Sequence, residues 1–327
     1  MRLFITSPLP FPEVRALLTR SDLTVEQWSG LGAIPDLELK RALAKADLLL
    51  CLLTDKITNN TLIAAPKLKL ISNYAVGFDN IDLLSANQRG VMVANAPARE
   101  VSDSVAEHTA ALILAVAHRL VESDHFVRAG KYEGWRPNLL IGTLIKGKVL
   151  GIVGGGKIGE SLGEKMARGF GMKVIYADQK QNLTLEASIG AVMTSLPALL
   201  SESDVVSLHV PLTPTTRHLI GERELALMKP TAILINTARG PVVHEQALIA
   251  ALERGIIGGA GLDVYECEPA LACVPDEVKR LCELANVVLT PHTASATIDG
   301  RRGMAREAVS NIVAFLEGKE PPHLVRL

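Results

Sequence analysis

Short runs of apolar residues alternate with amphipathic stretches along the first third of the chain. The apolar runs are unbroken, and the stretches between them, such as PEVRALLTR (12–20) and DLELKRALAKA (36–46), have helical spacing. Unbroken apolar strands separated by helices are typical of a parallel sheet that is covered on both faces. The predicted strands are RLFITS (2–7), LTVEQW (23–28), DLLLCLL (47–53), LKLISNYAV (68–76) and VMVANAP (91–97).

A long apolar stretch without glycine or proline follows, at residues 101–121. It predicts one buried helix that connects two domains, with Ser102 or Asp103 as its N-cap. The alternation then starts again, and a last amphipathic helix is predicted over 298–318. The strands predicted for this second array are KVLGIVG (148–154), MKVIYAD (172–178), DVVSLHV (204–210), AILINTA (232–238), GAGLDV (259–264) and NVVLTPH (286–292). The pattern predicts an α/β fold with two parallel sheets.

Length and composition agree with a globular protein of two domains. The chain has 327 residues, which is long for a single core. Hydrophobic residues make up 48% and charged residues 21%, with a formal net charge of −1. No block of basic residues is present, so neither a nucleic acid nor an anionic membrane is expected as a partner.

Targeting and metal signals are weak. The first apolar run is short and prolines follow it, so we expect no signal peptide. The longest apolar run, 110–117, is far shorter than the roughly 20 residues that span a bilayer. The cysteines Cys51, Cys267, Cys273 and Cys282 form no C-x-x-C pair. We therefore expect reduced thiols in a cytoplasmic protein, without a disulfide framework or a metal site.

The stretch GIVGGGKIGE (151–160) carries the first chemical signal. Glycine clusters often mark ordinary turns. Here a buried strand precedes Gly154 and a helical stretch follows Gly156, which is the context of a dinucleotide-binding turn. Gly154 would allow the tight turn, Gly156 would let the backbone approach a pyrophosphate, and Gly159 would let helix and strand pack closely. The first N–H groups of the helix would then face the phosphates.

The next predicted strand ends in Asp178, 19 residues after Gly159. An acid about 20 residues past the glycines is the usual partner of the ribose hydroxyls. Its charge would repel a 2′-phosphate, so NAD is favoured over NADP. Lys180 tempers this preference because a mobile lysine could meet a phosphate.

Several ordered motifs resemble the D-isomer-specific 2-hydroxyacid dehydrogenases over essentially the whole chain, and among them most closely the glyoxylate/hydroxypyruvate reductases. The motifs are NYAVGFDNID (73–82), GIVGGGKIG (151–159), INTARGPVV (235–243), GLDVYECEP (261–269) and LTPHTASAT (289–297). The resemblance implies two doubly wound parallel-sheet (Rossmann-like) domains. An NAD-binding domain at 99–290 would be inserted into a flavodoxin-like substrate domain at 1–98 and 291–327. It also implies a cleft that closes on substrate and a homodimer formed through the inserted domain.

The resemblance assigns catalysis to Arg239, Glu268 and His292. An arginine at a strand end can grip a substrate carboxylate with two hydrogen bonds and polarise the neighbouring carbonyl. A histidine can give a proton to the alkoxide that forms on carbonyl reduction. A carboxylate beside that imidazole favours its protonated form. Glu266 is the alternative carboxylate in this E-x-E sequence, and the resemblance selects the second acid.

The same resemblance implies the remaining binding residues. The N–H groups of Val76 and Gly77 would hold the substrate carboxylate, and Asp263 would lie at the nicotinamide end of the cofactor. The implied substrate-binding residues are Leu53, Ala75, Val76, Gly77, Arg239 and His292. The implied cofactor-binding residues are Val105, Gly154, Gly156, Lys157, Ile158, Gly159, Asp178, Val210, Pro211, Thr237, Ala238, Arg239, Asp263 and His292.

Some positions depart from the reductases that the chain resembles. The chain reads PHTASAT where many of them read P-H-I-G-S-A-T, Leu139 stands where some carry a second tryptophan, and Arg99 adds a cation. These changes concern the size of the substrate. The alternatives are the same chemistry on 2-ketogluconate, 3-phosphoglycerate, phosphite or an aromatic 2-oxoacid, or a non-catalytic, NADH-sensing protein similar to transcriptional corepressors. Glu268 argues against a formate dehydrogenase, in which glutamine stands at that position.

Overall fold

The computed structural model describes residues 1–30, 32–268 and 276–326. Contacts between Cα atoms divide the chain into two compact units, residues 1–101 with 297–327 and residues 102–296. Cys273 and Pro269, the last residue of the predicted GLDVYECEP motif, lie outside the described residues. The two units are described separately.

The first unit contains a five-stranded parallel sheet with the order β2-β1-β3-β4-β5. This is the flavodoxin-like order, in which the chain reverses direction across the sheet between the first and third strands. The strands are β1 (Arg2–Ile5), β2 (Thr24–Gln27), β3 (Leu48–Leu52), β4 (Leu70–Tyr74) and β5 (Met92–Ala94). The helices are α1 (Pro12–Leu18), α2 (Asp36–Leu43), α3 (Asn59–Ile63), α4 (Leu83–Gln88) and α13 (Ile298–Leu316).

Helices cover both faces of this sheet, as the unbroken apolar strands predicted. Leu49 and Ile71 pack with Leu43 of α2 and Leu62 of α3 in one buried cluster. On the other face, α13 contacts β4 and α1, and Ser72 Oγ donates a hydrogen bond to the α13 carbonyl of Ala308 at 2.8 Å. The last helix of the chain therefore belongs to the first unit.

The second unit contains a seven-stranded parallel sheet with the order β12-β11-β10-β9-β6-β7-β8. This is the Rossmann order extended by one strand, with its reversal between β6 and β9. The strands are β6 (Val149–Val153), β7 (Lys173–Ala177), β8 (Val192–Met193), β9 (Val205–Leu208), β10 (Ile233–Asn236), β11 (Gly259–Leu262) and β12 (Val287–Leu289). The helices are α5 (Arg99–Ala117), α6 (Leu120–Arg128), α7 (Lys157–Phe170), α8 (Leu183–Ile189), α9 (Leu196–Glu202), α10 (Glu222–Leu227), α11 (Glu245–Glu253) and α12 (Asp276–Glu283).

Two buried clusters sandwich the seven-stranded sheet. Leu162 of α7 and Ile113 of α5 pack on one face, with Ile152 and Ile235 of the sheet. Side chains of α9, α10 and α11 pack on the other face, around Leu234. The two parallel α/β sheets confirm the predicted fold class. The two-residue strand β8 was not predicted, because it is too short to leave a hydrophobic pattern.

The prediction of one helix over 101–121 was wrong at both ends. The helix begins at Arg99, so Ser102 and Asp103 lie inside it, and the Asp103 carboxylate accepts hydrogen bonds from Ser161 Oγ at 2.6 Å and Lys165 Nζ at 3.1 Å. The helix ends at Ala117 because Arg119 adopts a left-handed conformation with φ of 52°.

A bond to a later segment accounts for that break. The Ala117 carbonyl accepts a hydrogen bond from Thr143 N at 2.7 Å instead of continuing the helical ladder. Among the described helices, no single one is both long and apolar enough to cross a membrane. Only α5 and α6 joined across their 61° bend meet the length and composition of such a span.

Candidate active site

Most of the predicted cofactor-binding residues follow strands at one edge of the seven-stranded sheet. Gly154 follows β6, Asp178 follows β7, Thr237 follows β10 and Asp263 follows β11. Val210 and His292 lie two and three residues beyond β9 and β12. The carboxyl ends of parallel strands share one edge, and ligands of open α/β sheets bind there at the reversal of strand order.

The glycine turn has the geometry that a dinucleotide needs. Gly154 has φ of 99°, and a Cβ atom there would lie 2.7 Å from the carbonyl carbon of His209. A Cβ atom at Gly159 would overlap the Gly154 carbonyl and lie 2.8 Å from Ile152 Cγ2. At Gly156, by contrast, a Cβ atom would meet no protein atom within 4 Å, so the space in front of the N-terminus of α7 is open. These residues fit a bound pyrophosphate.

The exposed Asp178 is tied directly to this turn. Its Oδ2 accepts a hydrogen bond from Gly155 N at 2.7 Å, and its Oδ1 accepts one from Gln179 N at 2.6 Å. Asn182 Nδ2 donates to the Gly155 carbonyl at 2.7 Å. Asn182 was not among the predicted site residues, although an asparagine directly before the helical stretch LTLEASI is a capping signal. Its side chain does cap α8, by accepting from Leu185 N.

The other predicted cofactor residues differ in exposure. Val105 is buried on α5 and Thr237 is almost fully buried. Lys157 and Pro211 are exposed, and Ile158, Val210 and Ala238 are half-buried.

Arg239 is half-buried on the turn that follows β10. The buried Asn236 shapes this turn, because its Nδ2 donates to the Arg239 carbonyl at 2.9 Å and its Oδ1 accepts from Ala238 N at 3.0 Å. The guanidinium donates from Nη1 to the Ala238 carbonyl at 2.8 Å. Asn236 is a positioning residue that strand periodicity could not single out.

Gly240 brings the arginine turn against the loop that carries Glu268. A Cβ atom at Gly240 would overlap the Tyr265 carbonyl group and lie 2.5 Å from Glu266 N. Since no side chain fits there, the two backbones approach as closely as glycine allows. A G–P pair such as Gly240–Pro241 is typical of a turn, but nothing local in the sequence indicates this contact.

His292 and Glu268 form a close pair. Glu268 Oε2 lies 2.5 Å from His292 Nδ1, and Glu268 Oε1 accepts a hydrogen bond from Tyr265 N at 3.3 Å. Both side chains keep some exposure, 26% for His292 and 18% for Glu268. With Nδ1 engaged by a carboxylate, Nε2 is the nitrogen that can exchange a proton with a substrate.

Glu266, the alternative acid, has other partners. Its Oε1 lies 2.6 Å from His218 Nε2, and its Oε2 accepts a hydrogen bond from Glu245 N at 3.2 Å. Glu266 N donates in return to Glu245 Oε2 at 3.0 Å. Glu266 therefore anchors the loop to the N-terminus of α11, whereas Glu268 meets His292.

Asp263 is fully buried at the end of β11. Its carboxylate accepts hydrogen bonds from Thr290 Oγ1 at 2.6 Å, Thr293 N at 2.9 Å and Ala294 N at 2.8 Å. Its backbone carbonyl accepts from His292 N at 2.8 Å. Asp263 therefore fixes the turn on which His292 adopts its left-handed conformation, with φ of 54°.

The charge of Asp263 is stabilised by these contacts. Burial alone would raise the pKa of Asp263. The hydrogen bonds from His108, Thr290 and the two backbone N–H groups outweigh burial and hold the pKa below its usual value. His108 Nε2 lies 3.5 Å from Asp263 Oδ1 and 3.0 Å from Thr290 Oγ1. No local pattern in the sequence indicates the role of His108, because it lies far from Asp263 along the chain.

His209 lies beside the glycine turn, directly after β9. Its Nε2 is 2.8 Å from Ser207 Oγ, and its buried Nδ1 has no hydrogen-bond partner among the described residues. Burial lowers the pKa of His209 to about 4, so the imidazole is neutral at pH 7.

In the first unit, the predicted substrate residues also follow strand ends. Leu53 follows β3 and Ala75 follows β4. The Ala75 carbonyl accepts a hydrogen bond from Ala96 N at 2.8 Å, and the Val76 carbonyl accepts one from Asn95 Nδ2 at 2.7 Å.

These bonds orient the N–H groups of Val76 and Gly77. A trans peptide holds its C=O and N–H in one plane, pointing in opposite directions. The N–H of Val76 and that of Gly77 therefore point away from Ala96 and Asn95. Neither N–H has an acceptor within the described ranges of the chain. Two adjacent donors held in this way suit a carboxylate.

A family model described as D-isomer specific 2-hydroxyacid dehydrogenase, NAD binding domain, matches residues 110–294, more than half of the chain. The chain belongs to the D-isomer specific 2-hydroxyacid dehydrogenase family. As a member of this family, it is an oxidoreductase whose nicotinamide dinucleotide site lies in the matched residues.

Two curated relatives match this dehydrogenase over nearly its full length. A glyoxylate reductase of Thermococcus litoralis is 47% identical, covering 99% of this chain and 96% of the relative. A glyoxylate reductase of Aeropyrum pernix is 46% identical, covering 99% and 95%.

Solved structures share the fold of this dehydrogenase. The TT0316 protein of Thermus thermophilus superposes with a TM-score of 0.90 at 41% identity, covering all of both chains. A D-lactate dehydrogenase of Aquifex aeolicus, complexed with NAD and lactic acid, gives 0.85 at 36% identity, covering 97% and 96%. An acyclic imino acid reductase in complex with NADPH and D-Arg gives 0.86 at 30% identity over all of both chains. The structural neighbours thus include complexes with either nicotinamide cofactor.

Proposed function

We propose that this protein reduces a small 2-oxoacid, with glyoxylate or hydroxypyruvate favoured, to the D-2-hydroxyacid with NADH. The observation that carries the proposal is the 2.5 Å contact between His292 Nδ1 and Glu268 Oε2 at the edge of the sheet that carries the glycine turn. The two glyoxylate reductases that match nearly the whole chain support glyoxylate as the substrate.

The cofactor is assigned to the second unit. Gly154, Gly156 and Gly159 would admit its pyrophosphate at the N-terminus of α7, and Asp178 would bind the adenosine ribose. When bound, the reduced cofactor supplies the hydride that the carbonyl carbon receives.

His292 and Glu268 supply the proton. Protonated His292 would donate from Nε2 to the carbonyl oxygen as negative charge develops there. Glu268 would accept from Nδ1–H and stabilise the imidazolium before transfer. After transfer it would hold the neutral ring as the Nδ1–H tautomer, whose Nε2 is free to take up the next proton. Asp263 keeps the turn of His292 in place, so the ring does not have to be repositioned in each cycle.

Arg239 and two backbone amides would orient the substrate. A guanidinium can form two parallel hydrogen bonds with a carboxylate or bridge to the carbonyl oxygen, which withdraws charge from the carbon that is attacked. The N–H groups of Val76 and Gly77 would bind the carboxylate as well. Leu53 would line the pocket, and the substrate size would be limited there.

NADH is favoured over NADPH because of how Asp178 is held. Its two oxygens accept from Gly155 N and Gln179 N, so the carboxylate keeps a fixed place beside the glycine turn. A 2′-phosphate would meet this negative charge. Lys180, two residues further on, is exposed, and its positive charge could offset this repulsion.

The dimer is proposed to form through the segment between α5 and β6. Large apolar side chains are exposed along it, and Trp135 is 81% exposed. The other exposed ones are Leu120, Val121, Val127, Tyr132, Ile141 and Leu144. Such a concentration is typical of a surface covered by another protein chain.

The test follows NADH oxidation with glyoxylate, hydroxypyruvate, pyruvate, 2-ketogluconate and an aromatic pyruvate, with His292→Ala beside the wild type. Fast oxidation with glyoxylate or hydroxypyruvate that is lost in the variant would support the proposal. Preference for a bulky oxoacid would keep the chemistry and change the substrate. No oxidation with any of them, despite binding of NADH, would contradict the proposal and favour a sensor.

A further inference from the structure

Two asparagine side chains meet at the carboxyl edge of the five-stranded sheet. Asn73 is fully buried on β4, and Asn80 lies on the loop that follows Gly77. Asn73 Nδ2 donates a hydrogen bond to Asn80 Oδ1 at 3.0 Å. Neither residue was assigned a role by the sequence motifs or by the proposed mechanism.

Asn80 holds the turn that carries Leu53. Its Nδ2 donates to the carbonyl oxygens of Leu52 at 3.1 Å and Asp55 at 3.0 Å. Its own backbone carbonyl accepts a hydrogen bond from Ile57 N at 2.9 Å. One residue therefore contacts both ends of the turn after β3 and the chain beyond it.

Asn73 holds the turn that carries Val76 and Gly77. Its Nδ2 donates to the Gly77 carbonyl at 2.9 Å as well as to Asn80. A carboxamide NH₂ has two hydrogens, so both donors of Asn73 are used, as are both donors of Asn80. The pair is a closed link between the two turns.

The turn at residues 52–55 is rigid in itself. Asp55 N donates to the Leu52 carbonyl at 3.1 Å, and Leu52 N donates to Asp55 Oδ2 at 2.7 Å. Thr6 Oγ1, from the end of β1, donates to the same carboxylate oxygen at 2.5 Å. These bonds hold the turn together, and the hydrogen bonds of Asn80 connect it to the loop after Gly77.

We infer that Asn73 and Asn80 are positioning residues that fix the spacing between Leu53 and the Val76–Gly77 amides, and thereby the size of the oxoacid that the protein accepts. The inference rests on the proposed function. The Leu52 carbonyl shares a peptide plane with the Leu53 N–H, so Asn80 also sets the orientation of Leu53. Without Asn80 Nδ2, the Asp55 carbonyl would lose this donor and the Leu52 carbonyl would keep only Asp55 N, so the two turns would no longer be tied together.

The test uses Asn80→Asp in the full-length protein. Aspartate has nearly the same shape but cannot donate to Leu52 or Asp55. The KM for glyoxylate is expected to rise about tenfold or more, while kcat falls less and the dissociation constant of NADH stays unchanged. The preference in kcat/KM for glyoxylate over a bulky oxoacid is expected to shrink, because the spacing is no longer fixed.

Ser72→Ala is the matched control. Ser72 is fully buried on the same strand, and its Oγ donates to the Ala308 carbonyl on the opposite face of the sheet. Loss of this hydroxyl is expected to lower the melting temperature. It should change neither the KM for glyoxylate nor the preference for glyoxylate over a bulky oxoacid. Asn73→Ala removes both amide donors of the other partner and is the second variant, to be used if Asn80→Asp does not fold.

Loss of the substrate preference in either asparagine variant, with the control unchanged, would support the inference. If the folded variants keep the wild-type KM and preference while losing stability as Ser72→Ala does, the inference is overturned and the pair is only structural. If the wild type itself reduces no oxoacid, the proposed function fails and takes this inference with it. The two failures are therefore distinguishable.

Discussion

Glu268 Oε2 lies 2.5 Å from His292 Nδ1, while Glu266, two residues earlier, lies 2.6 Å from His218 Nε2. One short loop thus divides its two acids between two histidines. Only one of these histidines follows a strand of the seven-stranded sheet at the edge where the glycine turn lies. Glu266 is therefore a matched control for Glu268 within the same loop.

Glu268→Gln is expected to lower kcat for glyoxylate by about 10²-fold or more at neutral pH, because an amide cannot stabilise the imidazolium. Glu266→Gln is expected to lower the melting temperature and to leave kcat close to the wild-type value, since Glu266 anchors the loop to α11. Steady-state kinetics and thermal unfolding of both variants check this. Equal losses of kcat in the two would contradict the division of roles.

Gly240→Ala is expected to destabilise the protein by about 1–3 kcal/mol or more, because its Cβ would overlap the Tyr265 carbonyl. The same displacement would move Arg239 and raise the KM for the oxoacid. Gly169→Ala on α7 is the control, since a Cβ there meets nothing within 4 Å. The control should be neutral or more stable by up to about 1 kcal/mol. Urea unfolding measures both, and a neutral Gly240→Ala would refute the close approach.

Asp178→Asn is expected to lower the preference for NADH over NADPH by about tenfold or more in kcat/KM, because the charge that repels the 2′-phosphate is removed. Asparagine can still accept a hydrogen bond from Gly155 N, so the glycine turn should keep its shape. Adding Lys180→Ala to this variant is expected to weaken the binding of NADPH again. If Asp178→Asn leaves the preference for NADH over NADPH unchanged, another group distinguishes the two cofactors at the ribose.

His209 is expected to make the protein less stable as pH falls from about 6.5 to about 4. In the folded protein the pKa of His209 is about 4, below its ordinary value of 6.5, so the unfolded chain binds the proton first in this window. Over the whole window, the free energy of unfolding is expected to fall by about 3 kcal/mol. Thermal unfolding over this pH range should show a smaller loss for His209→Gln than for the wild type. Parallel curves would contradict the burial of a neutral imidazole.

Trp135→Asp is expected to weaken the proposed dimer, because a charge would enter its apolar surface. Sedimentation at several protein concentrations measures the effect. Leu84→Asp is the control, since Leu84 is 67% exposed on α4 in the first unit. A wild type that sediments as a monomer, or a control that dissociates equally, would rule out this surface as the contact.

The sequence by itself determined the features that depend on neighbouring residues. Unbroken apolar runs separated by helical stretches predicted two parallel sheets, because strands buried on both faces need apolar side chains on both. The spacing of Gly154, Gly156 and Gly159 before a helix, followed by Asp178, predicted the dinucleotide turn. Parallel strands end at one edge, so residues such as Arg239 and His292, far apart along the chain, could be expected there together.

Only the tertiary structure decided the features that depend on distant partners. The helix predicted over 101–121 breaks at Arg119 because Thr143 N takes the Ala117 carbonyl. Gly240 is needed where it stands because Tyr265 packs against it. Asn73 and Asn80 lie in the motif at 73–82, but Asn80 contacts the turn after β3 only because the folded sheet brings that turn beside it. In each case, the stabilising contacts join residues that no local sequence pattern connects. Only the folded structure therefore reveals these contacts.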